Sequence, residues 1–309
     1  MKVFKASQYG GPEVLQLQDI NDPEVNTGQL LIKLKSTAAN SGDARLRSLN
    51  VPSPLKIIMR LSMGWKKLRQ PILGVVYAGV IEKVADDVDG FQVGDRVFGH
   101  LGMKTGAYSE KIVVDADSIL CPMPDEMTFT EAAALPFGGL TALYFINKLA
   151  IQPNHSVMVY GAAGAVGSMA VQILKNHGFQ QITAVAKQTH HTFLKEIGAT
   201  HTLDYRSDEF LNDTHSYDII FDAVGKLPKN IKKARLAAGG HFLTVGGLNV
   251  VKESKADLEK LVAWYQTGNL QAVVDSTYSF EELVAAHRHL DTSTKRGNIV
   301  ILFDSAEAK

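Results

Sequence analysis

Short apolar runs separated by turn residues fill roughly the first 120 positions of the chain, as at 28–34 and 75–81. This rhythm predicts small strands joined by tight loops, and therefore an all-β first domain. The segment 89–97 places Gly90 and Gly94 as turns around a short strand, the pattern of a compact barrel. One stretch breaks the rhythm. Between Arg45 and Arg69 lie seven Lys or Arg residues and no acid, interleaved with Ile57, Ile58, Met59, Leu61, Met63 and Trp65. The spacing predicts an amphipathic basic helix. Two readings of it stay open: its apolar face packs on the domain, or it meets an anionic ligand or membrane surface.

Pro122-Met123-Pro124-Asp125 reads as a linker, and Thr128 opens a capped helix. From 155 onward the period changes. Strands at 155–160, 182–186, 217–223 and 241–245 alternate with helices at 165–177, 192–197 and 230–237, which predicts a parallel sheet wrapped by helices in a doubly wound α/β domain. A length of 309 residues fits two such cores. The formal net charge is zero, so nucleic acid is not an expected partner on long-range attraction. The single cysteine, Cys121, excludes internal disulfides and a multi-cysteine zinc site. Its place before Pro122 in the linker, with no activating base nearby in sequence, predicts an inert buried thiol. The first residues show no signal or transit pattern, and no stretch approaches the roughly 20 apolar residues of a bilayer span. The expectation is a cytoplasmic protein.

The strongest chemical signal is the turn after 157–160. Gly161-Ala162-Ala163-Gly164-Ala165-Val166-Gly167 leads from an apolar strand into an amphipathic helix, the setting of a dinucleotide-binding turn. Such a turn needs a tight bend, bare backbone beside the pyrophosphate, and close packing of helix on strand. Gly164 and Gly167 suit the second and third demands, while Ala162 stands where the first glycine is expected. Phosphate would sit at the helix N-terminus, among unpaired amides. At the end of the second strand an NAD site expects an acid for the ribose hydroxyls. Here Ala186 is followed by Lys187, which would attract a 2′-phosphate, so the predicted cofactor is NADPH. Tyr205 and Arg206 are further candidates for the adenosine end.

Several further motifs join this turn in order: Tyr9-Gly10-Gly11-Pro12-Glu13-Val14-Leu15, Asn40-Ser41-Gly42-Asp43, Val93-Gly94-Asp95-Arg96-Val97-Phe98-Gly99 and Gly106-Ala107-Tyr108-Ser109-Glu110. After them come Leu135-Pro136-Phe137-Gly138-Gly139-Leu140-Thr141-Ala142, Phe221-Asp222-Ala223-Val224-Gly225 and Arg296-Gly297-Asn298-Ile299-Val300. Together they resemble the medium-chain dehydrogenase/reductase superfamily, and within it the zinc-independent quinone oxidoreductase (zeta-crystallin-like) branch, over nearly the whole chain. The resemblance implies a GroES-like β-barrel catalytic domain at 1–122, a Rossmann domain at 123–275, and a C-terminal return to the first domain at 276–309.

It also implies roles. Asn40 and Thr141 would lie near the nicotinamide or substrate, Val224, Val245 and Gly246 would border the cofactor, and Tyr77 and Tyr108 are candidate donors to a substrate oxygen or packed barrel residues. Zinc-dependent relatives place metal ligands where this chain has Asn40, Val75 and Phe137, so no metal is expected. Without a Lewis acid, the easier acceptors are quinones and α,β-unsaturated carbonyls, whose conjugation spreads the arriving charge. A zinc-free alcohol or aldehyde oxidoreductase, and an NADPH-binding sensor or RNA-binding protein with little catalysis, stay open as alternatives. Asp43 and Arg47, four apart on a predicted helix, suggest a local ion pair. The segment between Gly247 and Lys255 is short for this branch; Leu248 to Val251 could form the edge strand of a homodimer.

Overall fold

A computed structural model describes residues 1–50, 53–149, 152–246, 250–292 and 294–304. The chain forms two compact units, Met1–Pro136 with Val274–Lys309, and Phe137–Val273.

In the first unit β1 (Lys2–Ala6) and β2 (Leu15–Asp19) make an antiparallel ribbon. The long strand β3 (Gln29–Ala39) is followed by two helices, α1 (Ser41–Ser48) and α2 (Ser53–Met63). Four strands come next: β4 (Val76–Val84), β5 (Arg96–His100), β6 (Lys111–Asp115) and β7 (Ile119–Pro122). The helix α3 (Phe129–Ala134) packs on β3 and β4. It begins with the predicted cap: Thr128 accepts from the Glu131 amide, and the Glu131 carboxylate accepts from the Thr128 amide. Because α3 packs on the barrel strands, the first unit runs to Pro136 and not only to 122.

The second unit opens with α4 (Pro136–Ile146), of which all but Pro136 lies in this unit. Then β8 (Ser156–Tyr160), α5 (Ala165–Asn176), β9 (Gln181–Val185), α6 (His191–Glu196) and β10 (His201–Leu203) alternate. They continue as α7 (Asp208–Asn212), β11 (Tyr217–Asp222), α8 (Lys229–Arg235), β12 (Leu236–Thr244) and α9 (Lys255–Gln266). The five strands are all parallel, in the order β10-β9-β8-β11-β12. This is the doubly wound α/β arrangement that the alternation predicts, with β8 central and its neighbours reached in opposite directions.

The chain then returns to the first unit as β13 (Val274–Ser279), α10 (Leu283–Asp291) and β14 (Asn298–Leu302). There β14 pairs antiparallel with the second half of β3, while β6 pairs with its first half. The seven-stranded sheet runs β13-β14-β3-β4-β5-β7 with β6 on β3.

Several local expectations change. The segment between Gly90 and Gly94 is not a strand; both glycines are left-handed (φ +83° and +97°), and pairing starts only at Arg96. Cys121 and Pro122 belong to β7 and not to a linker, with Cys121 opposite Phe98. The basic stretch is not one helix, because Leu49 takes a left-handed conformation (φ 50°) that ends α1. Nor is its apolar face fully packed: Met63 and Leu68 join the core, whereas Ile57, Leu61 and Trp65 are exposed. The run Phe129–Ile146 does approach the length of a membrane span, but it is broken between α3 and α4 and mostly buried inside the protein. Of the proposed edge strand, Leu248 and Asn249 lie outside the described residues, and Val250 and Val251 are not in a strand.

Candidate active site

In the second unit the turn after β8 is built around Gly161, whose φ of +77° supplies the tight bend. The first glycine of the motif is thus present one position earlier than Ala162, and its amide and that of Ala162 both donate to the Val185 carbonyl (2.9 and 3.1 Å). A Cβ on Gly161 would lie 2.1 Å from Cγ2 of Val224. At Gly167 a Cβ would come within 2.3 Å of the Gly161 carbonyl oxygen, so this glycine lets α5 press onto the turn. Gly164 differs: its nearest neighbour would be 3.5 Å away, an ordinary van der Waals contact. It caps the 12-residue α5 with no side-chain hydrogen bond. The amides of Ala165, Val166 and Gly167 therefore head a helix whose N-terminal donors are available to an anion. Ala162, Ala163, Ala165 and Val166 are all buried, so the cradle is backbone.

The other cofactor candidates converge on the same edge. Lys187 follows β9, Tyr205 follows β10, Val224 follows β11, and Val245 and Gly246 follow β12, all at the carboxyl ends of the parallel strands. The backbones of Gly225 and Gly246 touch so closely that a Cβ on either would meet the other within 2.6 Å. Asp222 holds this corner. Its carboxylate accepts from the amides of Val224 (3.1 Å), Gly225 (2.8 Å) and Leu227 (2.9 Å). The sequence motif Phe221-Asp222-Ala223-Val224-Gly225 contains Asp222 but assigns it no role; an acid closing an apolar strand just before a glycine turn is its signal. Lys187 is partly exposed and makes no ion pair among the described residues. Arg206 is committed elsewhere, to a two-pronged pair with Asp204 (3.0 and 2.6 Å) that holds the Asp204 carboxyl well below the usual carboxylate range. The Tyr205 ring lies 6.3 Å from that of Tyr160.

In the first unit Asn40 caps α1, and its Oδ1 accepts from the amides of Gly42 (2.9 Å) and Asp43 (3.1 Å). Its Nδ2 donates to Oδ2 of Asp43 at 2.6 Å. Asp43 has no exposed surface and accepts two more bonds, from the Tyr108 hydroxyl (3.0 Å) and the Gly74 amide (3.1 Å). Burial pushes its carboxyl up to about 7 in spite of these donors. Behind Tyr108 stands His287 of α10, with Nε2 3.0 Å from the hydroxyl, and behind His287 stands Arg47, with Nη1 2.7 Å from Nδ1. Arg47 closes the row on Asp291 at 2.5 Å. Arginine can only donate, so Nδ1 of His287 accepts, Nε2 carries the hydrogen and donates to Tyr108, and Tyr108 donates to Asp43. Burial and the Arg47 charge hold His287 down at about 3, which keeps the ring neutral.

This network corrects two expectations. Tyr108 is buried and both sides of its hydroxyl are engaged inside the protein, so it is not a free donor for a substrate. Asp43 and Arg47 do not form the local ion pair that their spacing suggests; Arg47 pairs with Asp291 and His287 instead. Tyr77 is likewise a packed residue, buried with Leu30, Ile32, Leu34, Ile81 and Val97, and burial raises its hydroxyl above the ordinary range. Thr141 lies on α4 of the second unit and is buried. His287 was not foreseen, although its place beside Leu283, Ala286 and Leu290 marks a polar group on the buried face of α10.

Residues 26–125 match the family described as alcohol dehydrogenase GroES-like domain, and residues 197–301 the family described as zinc-binding dehydrogenase. Taken together, the two matches make the chain similar to the medium-chain dehydrogenase/reductase superfamily. It is 28% identical to the NADPH-dependent alkenal/one oxidoreductase, chloroplastic, of Arabidopsis thaliana, over 97% of this chain and 79% of that one. It is 26% identical to the quinone oxidoreductase of Pongo abelii, over 98% of each. The structure of the quinone oxidoreductase from Coxiella burnetii superposes with a TM-score of 0.82 at 24% identity, covering 98% of this chain and 99% of that chain, and shares the fold. Among the described residues no group of three or more His, Cys, Asp or Glu side chains could hold a metal ion.

Proposed function

We propose that this protein is a cytoplasmic, metal-free reductase that transfers hydride from NADPH to quinones or α,β-unsaturated carbonyls. The observation that carries the reading is the convergence of the Gly161 turn, Val224 and Val245-Gly246 at the carboxyl ends of β8, β11 and β12, where the strand order reverses. The amides that open α5 would bind the pyrophosphate, Gly164 would let it approach the backbone, and Lys187 would hold the 2′-phosphate. The bound cofactor supplies a hydride. With an enone, hydride at the β-carbon and a proton from water at the α-carbon would give the saturated ketone. The two relatives whose names carry these acceptors, an alkenal/one oxidoreductase and a quinone oxidoreductase, support the acceptor class. The positions that hold metal ligands in zinc-dependent relatives by resemblance are Asn40, Val75 and Phe137, and two of these side chains are hydrocarbon.

The experiment is oxidation of NADPH beside NADH with a panel of quinones and enones, for the parent and Lys187→Glu. The parent should prefer NADPH, and Lys187→Glu should lose about tenfold or more in kcat/KM for NADPH while NADH use changes little. Equal use of both cofactors by the parent would reject the role of Lys187. Absence of turnover across the panel would reject the reductase.

A further inference from the structure

We infer that Asp43 is a positioning residue, which fixes the Asn40 carboxamide so that its remaining Nδ2–H becomes the donor to the carbonyl oxygen of the acceptor. This rests on the proposed reductase activity and deepens it. Asn40 is only 2% exposed, and three of its hydrogen-bonding directions are taken by its own helix: two amides on Oδ1 and the Asp43 carboxylate on Nδ2. These three bonds remove the ambiguity of an amide side chain, because a flipped Asn40 would aim its oxygen at the Asp43 carboxylate and its NH2 at two amide hydrogens. The second Nδ2 hydrogen has no partner among the described residues. A buried donor without an acceptor is costly, and a ligand oxygen is what would relieve it.

The other residues of the row act one step further back. Asp43 Oδ2 stays an acceptor because Tyr108 donates to it; Tyr108 donates because His287 donates to Tyr108; and His287 does so because Arg47 occupies its Nδ1. Each bond has one possible sense once the arginine is fixed. As hydride reaches the conjugated carbon, negative charge gathers on the acceptor's carbonyl oxygen, and a preset N–H aimed there is worth most at that moment. The carboxylate behind Asn40 also polarises the amide and holds it still, so no reorientation is needed during the step.

A double-mutant cycle tests this with a reducible enone and saturating NADPH. Asn40→Ala should lower kcat by about a hundredfold. Asp43→Asn should lower kcat by about tenfold with KM for the enone within about twofold, and should cost less than about twofold more when Asn40 is already Ala. Equal losses from Asp43→Asn in both backgrounds would mean a merely structural role and overturn the inference. If Asp43→Asn does not fold, Tyr108→Phe removes only one donor to Asp43, and the same non-additivity with Asn40→Ala is expected. An Asn40→Ala enzyme as fast as the parent would overturn the donor role and leave the reductase standing. A parent that turns over no acceptor would overturn both.

Discussion

The Asp43 carboxyl is pulled two ways, upward by complete burial and downward by the Tyr108 hydroxyl, the Gly74 amide and the Asn40 carboxamide. The upward pull wins and places the group at about 7, inside the working pH range. Three donors converge on the carboxyl, and an all-acceptor arrangement of this kind favours the ionised form. The facing groups cannot take over the titration: His287 stays neutral down to about 3 and Tyr108 is raised well above its ordinary range, while Arg47 pairs with Asp291. Activity on an enone should therefore rise with pH through a limb near 7, with the ionised carboxylate as the active form. A pH profile of kcat/KM would check this; the limb should vanish in Asp43→Asn, and its persistence there would assign it to another group. Asn40 and Tyr108 were legible in the sequence as polar groups beside known motifs. Their partnership was not, because the group that orients Tyr108 sits 179 residues further on.

At the scale of elements, the turn from β8 into α5 separates two uses of glycine that a motif cannot tell apart. Gly167 is needed for packing, with backbone atoms 2.3 and 2.7 Å from any added Cβ. Gly164 has ordinary space around it, and alanine would fit there at a cost within about 1 kcal/mol for the poorer cap. Gly167→Ala should thus destabilise the second unit by about 1–3 kcal/mol and weaken NADPH binding with it. Gly164→Ala should melt near the parent temperature yet bind NADPH poorly, because its methyl group occupies the side from which pyrophosphate approaches. Thermal melts with and without NADPH distinguish the two, and equal Tm losses would refute the division of roles. The alternating period made this unit readable, since buried parallel strands such as Val157-Met158-Val159 are continuous apolar runs. The basic stretch failed as one helix because Leu49 turns left-handed at the end of α1, and Pro52 and Pro54 just beyond it are the warning that the residue spacing alone passes over.

At the scale of the whole molecule, the first unit is completed only by the last part of the chain. After 137 residues spent in the second unit, β14 inserts beside β3, and Phe280 stacks on Phe303 (4.5 Å between ring centres) while its edge meets Phe4 (5.2 Å). Ring stacking and burial here tie the first strand of the chain to the last. The order of motifs suggested such a return, but no local pattern could identify Phe4 and Phe280 as neighbours. Phe280→Ala should cost the first unit about 3–5 kcal/mol, because the cavity opens between elements that cannot all collapse on it. The proposed cofactor cradle lies in the other compact unit, Phe137–Val273. Urea titration followed by circular dichroism should therefore show an earlier unfolding midpoint in Phe280→Ala, while NADPH affinity without denaturant stays within about twofold of the parent. Loss of NADPH binding in step with the lost stability would instead mean that the cradle depends on the first unit's core. Retention of both would mean that the return segment contributes far less to that core than its burial implies.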